Sequence, residues 1–308
     1  MTRPIAIGFM LVAVSVALAP LQLYSIFVMK IMCFAVFAAG FNLLLGFAGL
    51  LSLGHAMFFG SAAYVCGYLV KVAGFSPELG IVSAVVFSCL LGAATGWLSI
   101  RRQGIFFAMA TLAFSQLVYF VCLRLPQTGG ENGMQAIPRG NLFGLINLDD
   151  PDYLYVFVST VFLLGLLALY RIIHSPFGAV LVAVRENEPR AISLGYSTDR
   201  YKLVAFVISA AFAGLAGATK VFVFQLASLT DVYWTMSGEV VLMVLFGGIG
   251  TFFGPVVGAL VMLTIEELLA ERAGAWVGFI QGIAFIACVI LFKRGIVGVL
   301  ARRLKLSI

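Results

Sequence analysis

The sequence predicts an all-α polytopic membrane protein of about ten transmembrane helices, and three observations predict it. Of the 308 residues, 62% are hydrophobic and only 10% charged, too little polar surface to coat a soluble globule of this size. The apolar residues gather into runs of about 20, the length that crosses a bilayer core of about 30 Å as a helix. The basic residues, which give a net charge of +6, sit in short segments beside those runs, where membrane topology places them. That distribution argues against a nucleic-acid surface.

The first expected span is 4–20. Arg3 followed by an apolar run ending Ala17-Leu18-Ala19 imitates a secretory leader, but Pro20 is a poor residue after a cleavage point, so a retained helix is expected. Spans at 26–46, 50–71, 79–100 and 104–124 follow, and a sixth at 153–171 ends at residues 172–202, the one long, strongly charged stretch. That stretch must lie in water and is expected to be a cytoplasmic loop holding a short helix, within a single transmembrane domain covering 1–308. A seventh span, 203–222, returns across the membrane.

Residues 235–268 fit either one long helix or two, 235–248 and 252–268, meeting at Gly247-Gly248-Ile249-Gly250-Thr251 and Gly254-Pro255. Parity favours two, with a tenth span at 276–293. Given a cytoplasmic 172–202, a single helix would put Lys293-Arg294 and Arg302-Arg303-Leu304-Lys305 outside, against the positive-inside rule. With both termini cytoplasmic, thirteen of the nineteen Lys and Arg fall inside and six outside. Lys30 and Lys220 fall on the outer side, where they are expected to snorkel to the interface. Spans 2–5 and 7–10 then run in opposite senses, the geometry of an inverted repeat.

Residues 46–60 join spans two and three with four glycines, Ser52 and His55, one of only two histidines. Such a segment breaks a helix, and its amides can meet polar ligands only where protein shields them from lipid. The competing reading is a tight turn with His55 hydrogen-bonded locally. Thr111, Ser115, Gln116, Ser237 and Glu239 are further polar groups at or near membrane depth. Each hydroxyl is expected to bond back onto its own helix; a carboxylate has no such outlet. Ser52, Gly54, His55, Thr111, Glu239, Gly247, Gly248 and Gly250 are thus the candidate pathway or hinge positions. Glycines spaced by four (92 and 96; 254 and 258; 274, 278 and 282) read as packing seams.

Five cysteines without CxxC spacing support neither a disulfide framework nor a zinc site. No Gly-Lys-Ser/Thr, HExxH or GxSxG occurs, so the chain is expected to be non-catalytic and to bind no cofactor. Energy must come from a partner or from an ion gradient.

Several blocks, in order, resemble one family. They are Gly46-Phe47-Ala48-Gly49-Leu50-Leu51-Ser52-Leu53-Gly54-His55-Ala56, Arg102-Gln103-Gly104-Ile105-Phe106-Phe107, Thr128-Gly129-Gly130-Glu131-Asn132-Gly133 and Ser175-Pro176-Phe177-Gly178. Arg185-Glu186-Asn187-Glu188, Gly247-Gly248-Ile249-Gly250-Thr251 and Arg294-Gly295-Ile296-Val297-Gly298 complete the set. Together they resemble the high-affinity branched-chain amino acid ABC transporter permeases, M-type subunit. The resemblance implies a bacterial inner-membrane importer with a second, H-type permease, two ATP-binding subunits that use the ATP, and a periplasmic substrate-binding protein. It also implies that Arg185, Glu186, Asn187, Glu188 and Gly195 belong to the cytoplasmic coupling loop that engages the ATPases. The chain departs from the family pattern at Pro189 and Arg190, so the start of the coupling helix is expected to shift. Related permeases carry urea or short amides, and an autonomous secondary transporter or channel is the reading from a different class.

Overall fold

The computed structural model describes residues 3–18, 24–102, 104–273, 278–279, 282–283, 286 and 295–298. Pro20, Gln103, Gly274, Cys288, most of the expected tenth span and the basic residues from Lys293 onward lie outside them. The described chain is helical: α1 (Arg3–Leu18), α2 (Ser25–Asn42), α3 (Ala56–Lys71), α4 (Pro77–Ser99), α5 (Ile105–Arg124) and α6 (Pro151–Ile173) come first. Then follow α7 (Pro176–Glu186), α8 (Glu188–Ser193), α9 (Thr198–Phe224), α10 (Trp234–Gly247) and α11 (Gly254–Ala273). A two-residue hairpin, β1 (Asn141–Leu142) against β2 (Ile146–Asn147), decorates the α5–α6 loop.

Among the described residues five helices are long and apolar enough to cross a membrane, at 25–47, 77–99, 105–124, 151–173 and 198–224; α3 and α10 are shorter apolar helices. This is a multi-pass membrane architecture. Its long apolar runs start and stop where local chemistry tells them to. Pro77 and Pro151 open α4 and α6 in the first turn, where a missing N–H costs nothing, and Asp150 caps α6 by accepting from the Asp152 N–H.

Helices α2 and α9 form the centre. In α2, 89% of the apolar window is buried, against 28% in α5, which therefore lies at the periphery. Helix α9 fits into the middle because small residues stand at its contacts: Ala210 and Phe206 meet the bare faces of α4 at Gly92 and Gly96, and its own Gly214 and Gly217 abut Ser88 and the Phe59 backbone. Small residues let helices approach where no hydrophobic drive separates them from lipid. Phe37 and Phe59 stack at 4.6 Å between α2 and α3. Helix α1 is held by Phe9 against Tyr170, Phe252 and Phe253.

Four expectations change. The third span is helical only from Ala56, because Gly49 adopts a left-handed φ of 72° and residues 48–55 run irregularly back into the bundle. The stretch 172–202 is a helical corner, not a loop: α7 buries Gly178, Leu181 and Val184, and α8 follows after a one-residue break at Asn187. Lys30 and Lys220 do not stand as lone cations. Lys30 pairs with Glu266 at 3.3 Å, and Lys220 turns inward to pair with Asp231, which is almost fully buried. Finally, an added methyl group at Gly278 or Gly282 would meet nothing within 4 Å, so no seam forms there among the described residues. The seams at 92/96 and 254/258 are real close approaches.

Candidate functional site

The candidate residues from the broken connector converge on one another. Ser52 is buried and its hydroxyl accepts from the Gly54 N–H at 3.3 Å, closing a small turn. The Leu53 N–H donates to Thr111 Oγ1 at 3.1 Å, and Gly54 lies flat on the Thr111 backbone, where any side chain would collide with its carbonyl. Thr111 meanwhile donates to the Ala108 carbonyl of its own helix, as expected. Ser115 and Ser237 do not bond back: Ser115 Oγ reaches the Val232 carbonyl, and Ser237 Oγ accepts from the Ala56 N–H at 2.8 Å. That last bond joins the first turns of α3 and α10.

His55 is fully buried and its partner is distant in sequence. Nε2 lies 2.7 Å from Ser209 Oγ, which donates its single proton to the Gly40 carbonyl at 2.7 Å. The hydroxyl can therefore only accept from the imidazole, which fixes the proton on Nε2. Phe41, Phe58 and Phe206 set their rings edge-on around the imidazole. Nδ1 has no partner among the described residues. The local-turn reading is thus replaced by a pin joining α2, α3 and α9.

Gly247, Gly248 and Gly250 form the turn between α10 and α11. Gly248 and Gly250 have φ of 120° and 75°, and Gly247 packs on the Gly254 carbonyl so closely that α10 and α11 make a tight hairpin. The hairpin tip docks on the single π-helical turn, Leu43–Phe47, that ends α2. Asn42 clasps it, its Oδ1 accepting from Gly250 N–H and its Nδ2 donating to the Thr251 carbonyl. Asn42 escaped the sequence reading because a lone Asn closing an apolar span forms no motif; its signal was its own cost at that depth.

The coupling residues divide. Asn187 caps α8 by accepting from the Arg190 N–H at 3.0 Å, with Pro189 in the first turn, so the departure at Pro189 leaves the helix intact. Glu188 pairs with Lys202 at 2.5 Å, fastening α8 to α9. Glu186 is exposed, and Gly195 ends the corner in a left-handed conformation, φ 91°, facing open space. Ile192, Leu194 and Tyr196 leave apolar side chains exposed there. Arg185 points elsewhere: its guanidinium donates to the Gly46 carbonyl.

Glu239, half-buried on α10, lies within electrostatic reach of Glu266, Lys30, Lys220 and Asp231. This gathers three carboxylates and two ammonium groups toward the end of the bundle opposite α8. The ion pair Lys220–Asp231 was missed because one partner lies near the end of α9 and the other closes a separate 3₁₀ turn, Leu229–Asp231. A cavity of about 650 Å³ opens between α3, α4, α5 and the 127–134 segment, and none of the candidate residues lines it. No group of three or more His, Cys, Asp or Glu placed to hold a metal occurs among the described residues.

Comparison with known proteins gives one consistent answer. The family described as branched-chain amino acid transport system / permease component matches residues 23–289. The high-affinity branched-chain amino acid transport system permease protein LivM of Escherichia coli is 31% identical over 78% of this chain and 62% of its own length. The chain thus spans less than two thirds of that relative. The probable branched-chain amino acid transport permease protein LivH of Methanocaldococcus jannaschii is 25% identical over 79% of this chain and 81% of its own. The autoinducer 2 import system permease protein LsrC of Salmonella paratyphi B is 27% identical over 76% and 69%. No solved structure matches the chain.

Proposed function

This chain belongs to the branched-chain amino acid transport system permease family, and from that membership we propose that it is the membrane-embedded permease subunit of an ATP-driven importer for branched-chain or related amino acids. The observation that carries the reading is the match over residues 23–289, which takes in almost all of the described bundle. ATP is hydrolysed by two separate ATP-binding subunits that dock on α8, where Ile192, Leu194 and Tyr196 offer an exposed apolar surface in water. An H-type permease completes the membrane pair, a role supported by the likeness to a protein named LivH. An extracytoplasmic binding protein delivers the cargo.

The proposed topology is ten spans with both ends in the cytoplasm of a bacterial inner membrane, built as an inverted repeat. What supports the repeat is the shared order in the two halves. Long α2 and long α9 are each followed by an irregular segment and then a short apolar helix, α3 or α10. In this arrangement Ser52, Gly54, His55 and Thr111 line or hinge the path from one half, and Gly247, Gly248, Gly250 and Glu239 from the other. Alternating access follows when ATP-driven closure pushes the α7–α8 corner and the two halves rock about these breaks.

Vesicles holding the full set of subunits are expected to take up leucine only with ATP inside the motor compartment. Leucine flux from the purified chain alone, driven by a gradient, would overturn the reading in favour of an autonomous transporter. The relation to a permease named for autoinducer 2 import favours a second cargo reading, outside the amino acids. Competition of leucine uptake by such a ligand separates the two.

A further inference from the structure

Arg185 lies on the second-last position of α7, at the corner proposed to meet the motor, and although the residue as a whole is exposed its guanidinium reaches back to the bundle. Nη1 donates to the Gly46 carbonyl within the π turn that ends α2. Its stem lies along Gly49, where a Cβ would stand 2.6 Å from Arg185 Cγ; the left-handed φ of 72° and the missing side chain together leave that channel open. The same Nη1 would stand 3.5 Å from a Cβ at Gly250, so the α10–α11 turn is the third party to the contact. Asn42 already ties that turn to the π turn through Gly250 and Thr251. One charged side chain from the corner therefore bears on both helix breaks at once, and a charge-assisted bond to a backbone carbonyl is stronger than a neutral one.

We infer that Arg185 is a positioning strut that carries displacement of the α7–α8 corner into the two breaks, at Gly46 and at Gly250, and that it is not an ATPase contact. The inference rests on the proposed importer reading for its source of motion, but its structural half does not. The breaks are the segments a helix can move about: glycine-rich, and π-helical or left-handed. Glu188 and Lys202 fasten the corner to α9, whereas Arg185 reaches from it to the breaks.

Two measurements test it. Hydrogen exchange on the purified chain should show amides 43–51 and 248–253 exchanging faster in Arg185→Ala, by about tenfold or more, with α4 and α6 unchanged. This arm needs no partner, and unchanged exchange at both turns would overturn the strut. In the reconstituted complex, Arg185→Ala should keep its ATP-binding subunits and its ATP hydrolysis while leucine moved per ATP falls by about tenfold, and Arg185→Lys should recover part of it. Ile192→Asp with Leu194→Asp should instead lose the ATP-binding subunits. Loss of those subunits from Arg185→Ala, or an unchanged leucine-to-ATP ratio, would sink the inference. Absence of ATP-dependent uptake in the unaltered complex would count against the importer reading, and the exchange arm would still decide the strut.

Discussion

Asn42 and Gly250, 208 residues apart in the chain, are joined side chain to backbone at 3.0 Å. With its second bond to the Thr251 carbonyl at 2.9 Å, a carboxamide only 2% exposed satisfies a donor and an acceptor of a turn that has no regular structure of its own. Asn42→Ala strands both groups. Stability to thermal unfolding in detergent should fall by about 1–3 kcal/mol, and Asn42→Asp, which sets a buried carboxylate against the Thr251 carbonyl, should cost at least as much.

The His55–Ser209 pin should behave as a pair. Ser209→Ala leaves a buried imidazole N–H without its acceptor, removes the hydroxyl that donates to the Gly40 carbonyl and should cost about 1–3 kcal/mol. Combined with His55→Phe the loss should be smaller than the sum of the two, because replacing both partners by apolar groups removes the unmet bond. A double-mutant cycle on unfolding midpoints reads the difference, and strict additivity would count against the pin.

Two glycines of the α10–α11 hairpin should respond in opposite ways. At Gly258 a methyl group would run into the Met243 carbonyl, so Gly258→Ala should force the helices apart at a cost of about 1–3 kcal/mol. At Gly238, on the open side of α10, a methyl group meets nothing within 4 Å; Gly238→Ala should be neutral or stabilising by up to about 1 kcal/mol.

Lys220 and Asp231 form an ion pair with side chains 14% and 2% exposed. Lys220→Met would leave a buried carboxylate without its partner and should destabilise by about 3–5 kcal/mol. Adding Asp231→Asn should restore most of that loss, since the Ser228 N–H that donates to Asp231 keeps an acceptor. Equal stability of the single and double variants would show that the pair is not the relevant contact.

Composition and run length made the peripheral helices legible. The expected spans 79–100, 104–124 and 153–171 correspond to α4, α5 and α6 within two residues at each end, because a lipid-facing helix is apolar throughout and its flanks are punctuated by Pro77, Pro151 and charged residues. The centre was harder. Helix α7 was absorbed into a charged stretch, although Phe177, Leu181 and Val184, spaced by four and three, already marked an amphipathic face. The start of α3 was misplaced because hydropathy does not register a break that the protein itself shields. Ser52, His55 and Thr111 were singled out for being polar at depth and Gly54 for breaking a helix, and the structure brings these four together around one connector. The bonds that hold this connector, Leu53 to Thr111, His55 to Ser209 and Ala56 to Ser237, join residues 58, 154 and 181 positions apart, distances over which no local pattern reaches.

The shortness of α3 and α10 has a consequence for biosynthesis. Helices of 16 and 14 residues reach only about 24 and 21 Å at 1.5 Å per residue, so neither fills a bilayer core by itself. Released singly from the ribosome-bound insertion machinery, each would be a weak stop signal, and the first turns of both are completed by one another through Ala56 and Ser237. Helix α3 must therefore wait in a half-settled state while the residues from Val72 to Ser237 are translated, making the arrival of α9 and α10 the step that locks the two short helices in place.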